Sequence, residues 1–430
     1  MPAFLRALSH RNYRLFFYGQ GLSLVGTWIT RVATSWLVYR LTGSAFLLGV
    51  VNFAGQIPNF ILSPVAGVMA DRWNLRRTLV VTQILSMLQS FALAALAFSH
   101  EITVTQVIAL QVFQGIVNAF DTPARQAFAV EMVEGAQDLP NAIAINSMMF
   151  NAARLVGPMV AGLLIAAAGE GVCFLVDGVS YIAVIGCLPL MRITPRAQPP
   201  AHHAVWKHMR EGVTYSFGFE PIRGLLLLVA TASLLGMSYV VLLPMFAREI
   251  LHGGAHTYGF LASASGVGAL AGALYLATRP SVRGLGRVIV WGGILFGAGL
   301  AAFAFSNTIW LSLPALFAVG FGMMAQNASA NTILQTIVHD DKRGRVMSFY
   351  AMAFFGTTPF GSLLAGAVAD RYGAPAAIFA GGAACLFGGL AFFRALPAVR
   401  KATRPIYVRL GILPDGAGGI QSDFPVSPDG

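Results

Sequence analysis

Apolar residues run through this chain in long blocks, and polar residues collect in the short intervals between them. Twelve blocks are near or above the ~20 residues a helix needs to cross the hydrocarbon core of a bilayer. They lie at about 12–38, 44–71, 77–99, 102–124, 139–168, 171–191, 221–247, 257–279, 286–306, 308–338, 346–369 and 374–395. The longest, such as 308–338, must tilt, kink or protrude. A closed β-barrel is the other spanning structure that satisfies every backbone group. It requires short segments alternating apolar and polar, which are absent here. The pattern predicts an all-α membrane protein with twelve transmembrane helices.

The blocks also repeat. Ser23-Leu-Val-Gly26 in helix 1 returns as Ser233-Leu-Leu-Gly236 in helix 7, an offset of 210, and the segment 41–49 returns as 251–259 at the same offset. Gly157-Pro-Met-Val-Ala-Gly162 in helix 5 matches Gly361-Ser-Leu-Leu-Ala-Gly366 in helix 11, at an offset of 204. Small residues are common in packed membrane helices, so each match alone is weak. Their order and nearly constant spacing predict two six-helix halves, 1–191 and 221–395, related by an internal repeat. The segment 192–220 between them opens with Pro and charge, then becomes amphipathic around Trp206, Lys207, Met209, Arg210, Val213 and Tyr215. That pattern suits either a helix on the membrane surface or a plain connector. Residues 396–430 carry little hydrophobicity and read as a mobile tail.

Composition agrees with a membrane protein: the chain is 56% hydrophobic and 10% charged, against roughly 25% charged in soluble domains. A net charge of +11 would suggest nucleic acid in a soluble protein, but its placement says otherwise. Of 28 basic residues, 23 fall at the chain ends or in even-numbered loops, and only Arg40, Arg248 and Arg371 fall on the opposite side. The positive-inside rule then expects both termini in the cytoplasm, with the bilayer and not nucleic acid as the partner of that charge. No cleavable signal peptide is visible. Cys173, Cys187 and Cys385 sit in apolar segments without ligand spacing and read as buried small hydrophobes, so no metal is expected. There is no phosphate-binding loop, nucleophile–base constellation or cofactor motif, which argues against ATP as energy source and against an enzyme.

Ionisable residues inside membrane spans are costly, roughly 2.5–3.5 kcal/mol at the centre on insertion scales, and so are functional candidates. Arg31 in helix 1 and Asp177 in helix 6 lie at similar depth. They form a fixed ion pair, or else Asp177 is a proton carrier. Arg154 in helix 5 sits near mid-membrane with no acid at its own depth, either as a substrate contact or bonded to carbonyls at a kink. Uncharged polar residues follow at steps of three and four, which place each set on one helix face. Helix 1 has Gln20, Ser23, Thr27, Arg31 and Ser35; helix 4 has Gln111, Gln114, Asn118, Thr122 and Arg125; helix 10 has Asn327, Asn331 and Gln335. Helix 2 (Asn52, Gln56, Asn59) and helix 5 (Ser147, Asn151, Arg154) carry similar stripes expected at the face between halves. Cavity lining explains whole stripes; ordinary interhelical hydrogen bonding explains single residues.

The run GVMADRWNLRR at 67–77 resembles the loop between helices 2 and 3 of the major facilitator superfamily, which reads roughly G-x-L-A-D-R-x-G-R-K. Asn74 stands where that pattern has Gly, and Leu75 where it has a basic residue. In this reading Gly67 opens a close-packed helix end and Asp71 and Arg72 mark the water interface. Asn74 takes a left-handed turn, and Arg76 and Arg77 hold it at the surface. The runs WLVYRLTGSAFLLG at 36–49, RQAFAVEMV at 125–133 and RGRVMSF at 343–349 narrow the resemblance. They are similar to the bacterial exporter branch containing enterobactin-type siderophore exporters and macrolide efflux proteins, over about residues 10–395.

The resemblance implies a secondary active transporter of the bacterial inner membrane, monomeric, exporting a small organic molecule by alternating access. It implies substrate held between the halves, proton exchange as the drive, and cavity-lining roles for the stripes of helices 1, 4 and 10. Gly157-Pro158 with Gly162 resembles the helix-5 motif of antiporters in this superfamily. Gln111 stands where many drug–proton antiporters have an Arg before the Gln-Gly pair, here Gln114-Gly115, which argues against coupling by that route. Asp121 and Arg125 are four apart and can pair along one helix face. With Asp71 and Arg76 or Arg77 they are expected to form a charge cluster. Asp71 would meet the start of helix 11 near Gly344 and hold the inner gate shut. The alternatives are a nutrient uptake symporter, or a non-transporting sensor or assembly subunit of the same fold. The cargo is not legible, although the surplus of buried Arg over Asp favours an anionic or neutral-polar one.

Overall fold

The computed structural model describes residues 3–70, 72–132, 138–191, 214–279 and 281–414, and among them every regular element is helical. The first half contains α1 (Arg11–Thr42), α2 (Ala45–Ala70), α3 (Leu75–Phe98), α4 (Val104–Glu131), α5 (Leu139–Ala168) and α6 (Glu170–Leu190), preceded by a short 3-10 helix, Ala3–Ser9. The second contains α7 (Glu220–Ile250), α8 (Ala255–Ala277), α9 (Leu285–Ala304), α10 (Ile309–Ile337), α11 (from Asp340–Ala351 to Thr358–Tyr372) and α12 (Ala374–Arg409). Two short π-helical runs, Ala232–Gly236 and Phe246–Ile250, lie within α7, and a third, Met352–Gly356, lies within α11.

Local chemistry sets the helix boundaries. Thr103 and Gln106 form a reciprocal capping box that starts α4. Asn74 is the N-cap of α3, its side chain accepting from the Arg77 N–H at 3.0 Å. Its φ of −68° is extended, so the expected left-handed turn is not formed; capping uses the same short polar side chain differently. Single glycines join α5 to α6 and α11 to α12, Gly169 at φ +81° and Gly373 at φ +84°. A one-residue reversal needs this left-handed backbone, which only Gly adopts without strain. The two positions are 204 apart, the offset already seen between α5 and α11.

The expected tail differs from what is found. Helix α12 continues through Pro397 and Pro405 to Arg409, where a loss of structure was expected from 396. Val399 and Thr403 are buried, so the helix is continued by packing where hydropathy alone has faded. Linker residues 192–213, including Trp206, Lys207, Met209, Arg210 and Val213, lie outside the described residues. Tyr215 follows them, with the Lys342 ammonium 4.5 Å over its ring.

Among the described residues ten helical runs are long and apolar enough to cross a membrane; α1 and α4 are not among them. These two carry the densest polar stripes, which is why they fall short. Each half is a bundle in which α1 packs on α5 and α6, and α4 on α2 and α3, with α7–α12 arranged equivalently. The halves meet mainly through α5 with α8 and α2 with α11.

At the end that holds the termini, the short N-terminal helix is tied to the start of α5. Arg6 Nε and His10 Nε2 reach the Asp138 carboxylate at 2.5 and 3.0 Å, and Asn141 Oδ1 accepts from the Ala7 N–H at 2.8 Å. The hydrogen bonds from His10 and then Arg6 hold the Asp138 carboxyl below its ordinary value of 3.8. A depressed carboxyl pKa contributes where the group is ionised and is lost as pH falls through it. The tether should therefore persist at neutral pH, release in acid below that range, and be absent at pH 7 in Asp138→Asn. Amide exchange of Ala7–His10 should quicken at least tenfold in that variant; unchanged exchange would refute the tether.

Candidate functional site

The contacts between halves cluster at the end away from the termini. Close backbone approach makes them possible: a Cβ at Gly162 would lie 2.8 Å from Ala255 O, and one at Gly259 2.5 Å from Pro158 O. The α2–α11 seam mirrors this, with a Cβ at Gly49 placed 2.6 Å from Ser362 O and one at Gly366 placed 2.5 Å from Ala45 O. Gly49 with Gly259, and Gly162 with Gly366, are the repeated glycines of the sequence, so the duplication marks the seams themselves. Polar latches lie over them. Tyr39 Oη donates to Glu249, Ser44 Oγ to Asp370 Oδ1 at 3.1 Å, and Asn52 Nδ2 to Ser362 Oγ at 2.6 Å. Arg40 is held by Glu170 at 2.8 Å beside them.

Toward the termini the halves part. Among the described residues nothing lies within 4 Å of a Cβ built at Gly67 or Gly344. The close-packed helix end expected at Gly67 is therefore not found among the described residues, because no neighbouring element approaches α2 there. Asp71 lies outside the described residues, while Arg72 and Arg77 are exposed and Arg76 is half-buried.

Between the closed and open ends lie the intramembrane cations. Arg31 is exposed, and its guanidinium carbon stands 5.0 Å over the Trp28 ring, which packs edge-on against Phe150 at 6.0 Å. Trp28 also fills the space left by Gly157, so the glycine of the Gly157-Pro158 pair seats an aromatic of α1 against α5. Helix α5 passes through Pro158 without interruption. Arg154 is half-buried, and its charged and polar neighbours are Arg31 on α1 and Tyr239 on α7. Tyr239 in turn shares a 2.5 Å hydrogen bond with Ser265 of α8. Groups from both halves thus surround Arg154, and among the described residues no carboxylate bonds to either Arg31 or Arg154.

The Arg31–Asp177 ion pair offered as one reading is not formed. Asp177 is buried, with Oδ2 accepting from Ser90 Oγ of α3 at 2.8 Å and Oδ1 without a partner. Ser90 pulls the carboxylate toward α3, while Arg31 turns to the open space and Trp28. Gly26, between them, leaves room for Asp177: a Cβ there would lie 2.7 Å from Oδ1.

The polar stripes divide. Gln114 Nε2 donates to Ser86 Oγ of α3 at 3.0 Å and to Asn118 Oδ1 at 3.1 Å, so both amides are engaged within the first half. Gln111 lies against Gly55 of α2, Gln20 is buried in α1, and Thr27 bonds back to Ser23 O at 3.0 Å. Asn151 Nδ2 bonds back to Ser147 O. In α10, Gln335 donates to Asn331 at 2.7 Å on an exposed face, whereas Asn327 is buried with both amide atoms unpartnered.

Asp121 and Arg125 do pair along α4, and Asp121 also accepts from Thr82 Oγ1 at 2.8 Å and Gln83 Nε2 at 2.9 Å of α3. Among the described residues neither Arg76 nor Arg77 joins them, because the pair is sunk between α3 and α4 below the loop.

Comparison with known proteins agrees with this geometry. A family model described as transmembrane secretion effector matches residues 3–406. The chain is 28% identical over 364 residues to a staphyloferrin A transporter of Staphylococcus aureus, covering 84% of this chain and 90% of that protein. It is 28% identical to the multidrug efflux pump Tap of Mycolicibacterium fortuitum, covering 83% and 88%. It is 23% identical to macrolide efflux protein A of Streptococcus pyogenes, covering 85% and 92%. Among solved structures, the peptide transporter POT superposes with a TM-score of 0.73 at 11% identity, covering 91% of this chain and 95% of that one. The nucleoside transporter NupG gives 0.69 at 13% identity, covering 90% and 99%. With its two six-helix halves meeting at one end and parting at the other, the chain belongs to the transmembrane secretion effector family of the major facilitator superfamily, and is a membrane transporter of small molecules rather than an enzyme.

Proposed function

We propose that this transporter exports an anionic or neutral-polar organic molecule by alternating access, in exchange for protons. One observation supports the cargo class above others: among the described residues Arg31 and Arg154 have no carboxylate partner. A desolvated ammonium cargo would need an acid there. A guanidinium instead offers paired donors to carboxylate or catecholate oxygens, and the Trp28–Phe150 wall supplies an aromatic face. Export is supported by the relatives named as efflux proteins. Asp177 is the proposed proton carrier, since a carboxyl with no cation against it exchanges a proton without breaking an ion pair. In the alternate state Asp71, with Arg72, Arg76 and Arg77, closes the end now open, against the start of α11. The protein works as a monomer in the bacterial inner membrane with both termini cytoplasmic.

The test is efflux from cells lacking the transporter and complemented with variants, against a panel of siderophores, antibiotics and dyes, with a proton uncoupler as control. Losing a charge-assisted hydrogen bond costs about 1.5–3 kcal/mol, so Arg154→Gln should lower transport of the responsive cargo roughly tenfold to a hundredfold. Arg154→Lys should retain part of it. Full transport by Arg154→Gln, or a monovalent cation as best substrate, would overturn the reading.

A further inference from the structure

A second basic cluster lies apart from Arg31 and Arg154, on an outward-facing side of the second half. At the termini end of α8 and α9, a cavity of about 320 Å³ opens above α10. Arg279, Arg283 and Arg287 stand at its mouth, and Val288, Phe321 and Ala325 form its floor. Tyr275 lies in the last turn of α8 and Arg279 follows just after the helix, while steps of four put Arg287 with Trp291 on one face of α9 and Phe321 with Ala325 on one face of α10. Arg279 lies 5.3 Å over the Tyr275 ring and reaches to within 3.6 Å of where a Cβ on Gly284 would sit, at the start of α9.

Three features set this cluster apart from an ordinary solvated loop. Among the described residues none of the three guanidinium groups bonds to a carboxylate. Helix α9 packs mainly on α10 and α12, so its remaining face turns outward, where Trp291 is 69% exposed and Leu295 38% exposed. Tyr275 and Trp291 flank the opening, the kind of aromatic side chain that is enriched at membrane–water boundaries. Positive charge at headgroup height above an apolar slot between helices matches one molecule that presents both chemistries, a phospholipid with a net negative headgroup.

We propose that the α8–α9 pocket binds an anionic phospholipid of the leaflet on the side of the termini. Its phosphate lies among Arg279, Arg283 and Arg287, and the start of an acyl chain lies along Val288, Phe321 and Leu295. Zwitterionic lipid fits less well, because its ammonium or choline group would bring a like charge to three arginines.

Native mass spectrometry of the full-length protein, delipidated in detergent, tests this with phosphatidylglycerol, phosphatidylcholine and inorganic phosphate as separate additions. Phosphatidylglycerol adducts should exceed phosphatidylcholine adducts at least fivefold. They should fall at least fivefold in Arg279→Gln/Arg283→Gln/Arg287→Gln, but not in Arg394→Gln/Arg400→Gln/Lys401→Gln, which removes the same charge elsewhere. Equal adducts with both lipids, an equal fall in the control variant, or displacement of the lipid by millimolar phosphate would overturn the proposal. A second measurement does not depend on the triple variant folding. Brominated phosphatidylglycerol should quench tryptophan emission of the wild type more than brominated phosphatidylcholine, and Trp291→Phe should abolish the difference. No difference in the wild type would also overturn it.

Discussion

Replacing Gly259 by Leu should hold the transporter open at the end away from its termini and lower transport at least fivefold at unchanged abundance. A Cβ at Gly259 would lie 2.5 Å from Pro158 O and 3.0 Å from Gly162 Cα, so in the described conformation a side chain meets backbone that cannot step aside. Overpacking of this kind costs roughly 1–3 kcal/mol. The cost falls on one conformation alone, because the contact exists only while α5 and α8 are closed. A difference of that size shifts a two-state balance by a factor of about five to more than a hundred. Spin labels at Arg77 and Ser348, both exposed near the open end, should report a shorter distance in the variant. An unchanged distance with normal transport would show that the glycine seam does not control closure. Gly366→Leu, at the equivalent seam between α11 and α2, should behave alike.

Arg125→Met should cost far more folded protein than most changes of its size. Asp121 is 2% exposed and rests against Arg125, Thr82 and Gln83. Removing one partner of a buried pair leaves an uncompensated charge, typically at about 3–5 kcal/mol, whereas removing both is far milder. The yield of monodisperse protein and its melting temperature should therefore drop sharply in Arg125→Met and recover in large part in Asp121→Asn/Arg125→Met. If the double variant is no better than the single one, the pair is not what anchors α4 to α3. A purely gating role for the pair would instead leave the melting temperature of the single variant unchanged.

Helices were legible because a bilayer imposes length and apolarity on every span. Up to α12 the observed ends lie within seven residues of the expected ones, the largest departures being the end of α4 at Glu131 and the start of α11 at Asp340. There, burial of Val399 and Thr403 continues a helix that hydropathy had abandoned. Interhelical partners were less legible. Arg31 and Asp177 share a depth, but depth does not fix azimuth, and Ser90 on α3 was the nearer partner for the acid. Trp28 under Arg31 was available from spacing, since residues three apart on a helix are neighbours. The latch of Tyr39 on Glu249 was also within reach: the two residues are 210 apart, the offset relating α1 to α7. Equivalent positions near a pseudo-twofold axis face each other. The polar stripe of α4 was visible, but not that Gln114 and Asn118 spend their amides on α3 and on each other, because periodicity gives a face and not its occupant.

The low apolarity of α1 and α4 has a consequence for how the protein is made. A nascent segment leaves the translocon for lipid according to its own hydrophobicity, and Arg at mid-span weighs against that step. Helix α1 emerges from the ribosome ahead of α5 and α6, carrying Arg31 and a buried polar row that includes Gln20 and Ser23 before either exists to cover them. Its retention in the bilayer must therefore lean on the more apolar α2 that follows two residues later. The polar groups of α1 thus make its integration a cooperative step, with the hairpin of α1 and α2 as the smallest unit that can integrate.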